Sequence, residues 1–153
     1  DVAMEQMTMS SFVISRNYGQ NVTPGTVPVK LDADVVAELG FMLVTVAGYG
    51  QIPAAANAAT GHMAGIVQTP GDNTGGIAGD VTAICDPDTA AFANDGTHPC
   101  SQADVGELVY ASSATTISNN SADGPPAGKL IAYNTADVQG RPCVVALNCL
   151  QTS

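Results

Sequence analysis

The last third of the chain, from Ala103 to Leu147, narrows the choice of fold class more than any other stretch. It reads Ala103-Asp-Val-Gly-Glu-Leu-Val-Tyr-Ala-Ser, then Thr115-Thr-Ile-Ser, then Ala127-Gly-Lys-Leu-Ile-Ala-Tyr, then Arg141-Pro-Cys-Val-Val-Ala-Leu. Each run is of strand length and rich in β-branched or aromatic side chains. Gly, Asn, Pro and Asp separate the runs at close, fairly even spacing, where they supply the backbone conformations that turns need. Spacing this tight leaves no room for the crossover helices that a parallel sheet requires. The expectation is an all-β fold, mainly antiparallel: a compact sandwich or partly closed barrel with long loops and little helix.

Upstream, Thr26-Val-Pro-Val-Lys-Leu alternates apolar and polar residues, and Pro28 marks it as an edge or the start of a strand. Asp34–Gly40 has the form of one helical turn, capped by Asp32 or Asp34 and stopped by Gly40. Strands are expected at Phe41–Val46, Met63–Val67 and Ile77–Ile84, with the Gly-rich Thr69–Gly76 as a turn. The Ala-rich Pro53–Thr60 lacks an amphipathic stripe and reads as loop or short helix, and Cys85–Gln102 reads as one long loop. Residues 1–24 form an N-terminal arm or a first strand, with Ser11-Phe-Val-Ile-Ser as its one strand-like run. Residues 25–153 form a single β domain. Strand alternation in the C-terminal meander selects Leu108, Tyr110, Leu130, Ala132, Val145 and Leu147 as core, with Val109 on the opposite face under a second cover.

Composition limits the partners. The chain is 45% hydrophobic but only 5% aromatic and has no Trp, so its core is built from Val, Ile, Leu, Met and Ala. Each fully buried Val or Leu contributes roughly 1.5–3 kcal/mol, and the scarcity of large anchors suggests reliance on neighbouring subunits. Fourteen acidic residues face only Arg16, Lys30, Lys129 and Arg141, for a net charge of −10. Nucleic acid is gripped by Lys and Arg, and an anionic membrane repels such a chain, so neither is an expected partner. No run approaches the roughly 18 apolar residues of a membrane span.

Chemical motifs are weak. Asp86, Asp88 and Asp95-Gly96 suggest a calcium loop, but position 90 is Ala and no Glu follows until Glu107. His98 and Cys100 make half of a zinc site, with His62 and Cys85 too distant in sequence to complete the usual paired spacing. No Ser sits in a nucleophile elbow. No catalytic residue, metal site or cofactor is therefore expected, and the chain reads as non-enzymatic. Gly61, Asp72, Asn73, Gly75, Gly76, Asp104 and Gly106 read as structural turn positions. Cys143 and Cys149, six residues apart, would be roughly 20 Å apart in a continuing strand. Cys85 and Cys100 flank a turn-rich loop and are the candidate disulfide, set against reduced, buried thiols.

Taken in order, Gly61-His-Met-Ala-Gly-Ile-Val, Asp72-Asn-Thr-Gly-Gly, Gly79-Asp-Val-Thr, Ala103-Asp-Val-Gly and Ala127-Gly-Lys with the closing Val-rich strand resemble the small β-rich head decoration proteins of tailed bacteriophages. The resemblance covers roughly Gly25 to Leu147, and the long Cys85–Cys100 loop and the four Cys depart from it. It implies a virion structural protein on the outer surface of the head, a homotrimer bound to the major capsid protein and a base for a fibre or spike protein. Met4, Met7, Met9, Phe12, Val13 and Ile14 are then the expected capsid or subunit contacts, since they would otherwise expose apolar surface. The alternative is a secreted or surface β-sandwich that binds a carbohydrate or host receptor, for which four Tyr and no Trp offer few stacking platforms.

Overall fold

The computed structural model describes residues 25–135 and 139–147. The strands are β1 (Val27–Lys30), β2 (Val36–Ala37), β3 (Met42–Val46), β4 (Tyr49–Gln51), β5 (His62–Thr69), β6 (Gly71–Asp72), β7 (Thr82–Asp86), β8 (Thr89–Asn94), β9 (Leu108–Ala111), β10 (Thr116–Ser118), β11 (Pro126–Tyr133) and β12 (Cys143–Leu147). Helix among the described residues is confined to 3-10 turns at Ala55–Asn57 and Gln102–Asp104. The fold is all-β and mainly antiparallel, as the turn spacing required. No helix of the described residues is long and apolar enough to cross a membrane.

Two five-stranded units make up the molecule. The first is an antiparallel sheet in the order β1-β7-β5-β3-β4, and it curls until its ends almost meet. The Asp32 N–H donates to the Gly50 carbonyl at 3.0 Å, and Leu31 bridges Gly50. Gly50 permits this approach: a Cβ there would stand 2.8 Å from Val29 Cγ1. Bulges opposite and within β5 sharpen the curl, and Gly65, at φ +137°, passes against the Asp86 backbone where a Cβ would stand only 2.8 Å away. The second unit is a closed barrel, β10-β8-β12-β11-β9, in which only β10 and β8 run parallel. The pair β2–β6 forms a small separate sheet.

The central wall is buried on both faces. Leu43, Ala64 and Val67 join Val29, Leu31, Ala83 and Cys85 in the core of the first unit. Met42, Val44 and Met63 instead join the barrel core of Phe92, Val109, Ile117, Leu130 and Val145. Such double burial explains why Phe41-Met-Leu-Val is continuously apolar rather than alternating. A backbone bond from Met42 N–H to the Ala114 carbonyl, 2.7 Å, fastens the wall to the β9–β10 turn.

Several expectations are corrected. In β9 the inward residues are Val109 and Ala111, both fully buried, whereas Leu108 is 44% exposed and Tyr110 half-buried. A five-stranded barrel has a narrow interior, so the smaller side chains point in. In β11 Leu130 is buried but Ala132 is exposed, because a bulge between them shifts the inward phase to the half-buried Tyr133. Val145 is buried and Leu147 packs half-buried on the barrel core. Asp34–Gly40 forms no helix: Asp34 sits at φ +62° and Val36–Ala37 pairs with Gly71–Asp72. Seven residues cannot repay helix nucleation when a strand partner is at hand. Ile77–Val81 is turn, with β7 starting at Thr82, and Cys85–Gln102 is no simple loop because β8 runs through it. The N-terminal arm, with Ser11–Ser15, lies outside the described residues.

The corrected register predicts opposite costs for adjacent residues. Val109→Ala should lower stability by about 2–3 kcal/mol and Leu108→Ala by less than about 1 kcal/mol in urea unfolding. The reverse ranking would return Leu108 to the core.

Candidate functional site

A polar constellation of two carboxylates and an imidazole lies at one end of the barrel, where the loop after β8 meets the β10–β11 turn. Asp95 builds the loop: its Oδ2 accepts the backbone N–H groups of Thr97 (2.9 Å) and His98 (2.8 Å). Its own N–H donates to the Ile117 carbonyl at 2.8 Å, which anchors the loop to β10. So held, the His98 ring presents Nδ1 to Asp123 Oδ2 at 2.7 Å. The same oxygen accepts the hydroxyl of the buried Ser118 at 2.6 Å, and Asn120 Nδ2 lies 3.4 Å from each ring nitrogen.

These contacts set the charges. The Ser118 hydroxyl, followed by His98, holds the Asp123 carboxyl below its ordinary value of 3.8. The His98 N–H does the same for Asp95. The ligand-type atoms of Asp95, His98 and Asp123 lie within 4.8 Å of one another, and two carboxylates with an imidazole are donors that borderline divalent metals accept. Asp123 Oδ2, however, already serves two protein donors and Asp95 Oδ2 two backbone amides. Ser118 donates to the carboxylate rather than to the imidazole, so the arrangement is not a nucleophile–base pair. Its evident action is mechanical: it pins one loop to another.

Residues weighed together in the sequence are dispersed. Of the zinc set, Cys85 lies in the first core and Cys100 in the barrel core, His62 lines a groove, and His98 belongs to the pin. No disulfide joins Cys85 to Cys100; the strand β8 between them carries the chain from one core to the other. Asp88 caps its own turn by accepting the Thr89 N–H at 2.7 Å, while Asp86 accepts from Gln68 Nε2 at 3.1 Å. The full length of β8, roughly 20 Å of strand, separates this pair from Asp95. Asp123 was not among the sequence candidates; its only local signal was the Asn-Ser-Ala-Asp-Gly turn that carries it.

The turn positions fall into three groups. Asp72, Asn73, Gly75 and Gly76 form one plug around a buried amide. Asn73 Nδ2 donates to the Asp32 carbonyl at 2.8 Å and the Ile77 carbonyl at 3.0 Å, and the Asn73 N–H donates to Val35 O at 2.9 Å. Asp72 accepts from Thr74, and Asp34 accepts the Gly75 N–H at 2.7 Å. A Cβ on Gly76 would stand 2.0 Å from Asn73 Oδ1. Gly61 ends the 3-10 turn, donating to Asn57 O at 2.8 Å. Asp104 accepts the Ser101 N–H at 2.8 Å, and the Gly106 N–H reaches Leu130 O at 2.7 Å.

A groove of about 730 Å³ is lined by Val27, Val29, Met63, Ala64 and Leu147, with Lys30, Thr45 and His62 among its polar residues. Met4, Met7, Met9, Phe12, Val13 and Ile14 lie outside the described residues. Comparison of the chain with protein-family models, with curated proteins and with solved structures finds no match.

Two measurements test this account. Asn73→Ala removes a buried amide and its bonds to the part-buried Asp32 and Ile77 carbonyls, and should cost roughly 1–3 kcal/mol in denaturant unfolding; no measurable loss would show that water replaces the amide. Asp95 and Asp123 titrate below their ordinary values in the folded protein. Their contribution is therefore complete above the unfolded carboxyl pKa near 4 and is lost as pH falls through the lower folded values. Thermal melts from about pH 5 down to 2 should show a smaller acid-side decline for Asp123→Asn than for the parent. Identical slopes would remove the pin from the acid response.

Proposed function

We propose that the chain is a non-enzymatic structural protein that decorates and stabilises the outer surface of a bacteriophage head, docked as a homotrimer on the major capsid protein. The observation that carries this reading is the use made of its polar side chains. Asp32, Asp34, Asp72, Asn73, Asp95 and Asp104 all bond to backbone groups of turns, which leaves a rigid acidic body that keeps its loop shapes by itself. Such a body acts through its surface. A net charge of −10 favours a place outside the shell, away from packaged DNA.

Exposed apolar side chains support a contact role. Ile77 is 72% exposed and Leu39 69%, on loops that flank the β2–β6 sheet. The N-terminal residues Met4 to Ile14 are proposed to add the main contact with the capsid or a neighbouring subunit.

Immunogold electron microscopy of the source particles, with antibody to this chain, is the direct test. Regular label over the head surface is expected. Unlabelled particles, or label confined to the tail or to cell debris, would overturn the assignment. Light scattering on the purified 15.4 kDa chain should return a trimer mass, and a monomer at all concentrations would reject the oligomer.

A further inference from the structure

The barrel core contains two cysteines held at one amide oxygen, that of Asn94. Cys100 closes the loop that carries Asp95 and His98, Cys143 opens β12, and both are buried in the same cluster. Asn94, at the end of β8, fixes both: its Oδ1 accepts the Cys100 N–H at 2.7 Å and the Cys143 thiol at 3.5 Å. Its Nδ2 donates to the Cys100 carbonyl and to Tyr133 Oη, each at 3.0 Å. Cys143 is also held by the strand ladder, opposite Phe92 on β8 and Tyr133 on β11. Both partners are thus positioned by their main chains, which is what a cross-link of fixed geometry needs.

We propose that Cys100 and Cys143 close into a disulfide under oxidising conditions, forming a covalent clamp that ties the Asp95–His98 loop to β12. The oxidant is a small-molecule or enzymic disulfide. One protein thiolate attacks it, its S–S bond breaks and one reagent thiol leaves; the second protein thiol then attacks the mixed disulfide and expels the other. Two protons and two electrons pass to the reagent in total. Neither sulfur is open to solvent, so exchange occurs while the chain folds or when the loop opens locally. Cys85 lies in the other core and cannot compete without unfolding.

The test uses the full chain, unfolded and then refolded in mixed reduced and oxidised glutathione, alkylated and mapped by mass spectrometry. The expected product lacks two hydrogens and yields one linked pair of peptides joining Cys100 to Cys143. Closing a loop of 43 residues (143 − 100) should raise the melting temperature by roughly 10 °C over the reduced sample. Cys143→Ala should lose both the linked peptides and the reductant-dependent shift. If that variant does not fold, the peptide map of the unaltered chain decides alone. Full alkylation of the refolded protein, a bridge to Cys85 or Cys149, or equal melting with and without reductant would overturn the proposal.

Discussion

The whole architecture depends on one wall, the β3–β5 pair, being buried on both faces. Leu43, Ala64 and Val67 close the first unit; Met42, Val44 and Met63 complete the core of the barrel. Each five-stranded unit alone is of a size at which too little surface is buried for comfortable stability. Sharing a wall lets each unit bury a face that would otherwise meet water. It also suits a chain with few aromatics: Val, Ala, Ile, Leu and Cys fill most of the barrel interior, beside Phe92. The bond from Met42 to Ala114 then converts contact between the units into a defined register.

Short strands joined by long turns leave many backbone groups without ladder partners, and the chain answers with buried or half-buried amides. Asn73 serves the first unit, bonding the carbonyls of Asp32 and Ile77. Asn57 serves the turn beside it, accepting the Ala54 N–H at 2.9 Å and donating to Ile52 O at 3.0 Å. Asn94 serves the barrel through Cys100 and Tyr133. An amide carries both donor and acceptor without charge, so it meets such needs at low desolvation cost. Carboxylates take the solvent side of the same turns, and the strong negative charge follows from this division.

The class of fold was legible because turn residues punctuate the C-terminal runs, and strands β9 to β12 all fall within runs so marked. The inward face of β9 was not, since Leu108, Val109 and Tyr110 are all apolar and only barrel diameter decides among them. Strand β8 was hidden by Thr89-Ala-Ala-Phe-Ala-Asn, whose Ala content carries no strand signal; its place comes from pairing with β12, some fifty residues on. The pin and the thiol pair were hidden for a similar reason. His98 meets Asp123 across 25 residues and Cys143 meets Asn94 across 49. Nearness in sequence pointed instead to Cys85, which the chain carries into the other core.

Three constraints of different physical kinds converge on the segment from Asn94 to Asp104. Asn94 holds it through neutral hydrogen bonds to Cys100, Asp123 holds it through the His98 imidazole, and Cys143 holds it through sulfur. They answer to different conditions. Acid protonates Asp123 and releases His98 while leaving the Asn94 bonds intact. The segment therefore has no single condition that frees it: its His98 end loosens first at low pH while its Cys100 end stays seated in the barrel core. A surface loop held in this way keeps its shape through changes of surroundings that would collapse a loop with one anchor.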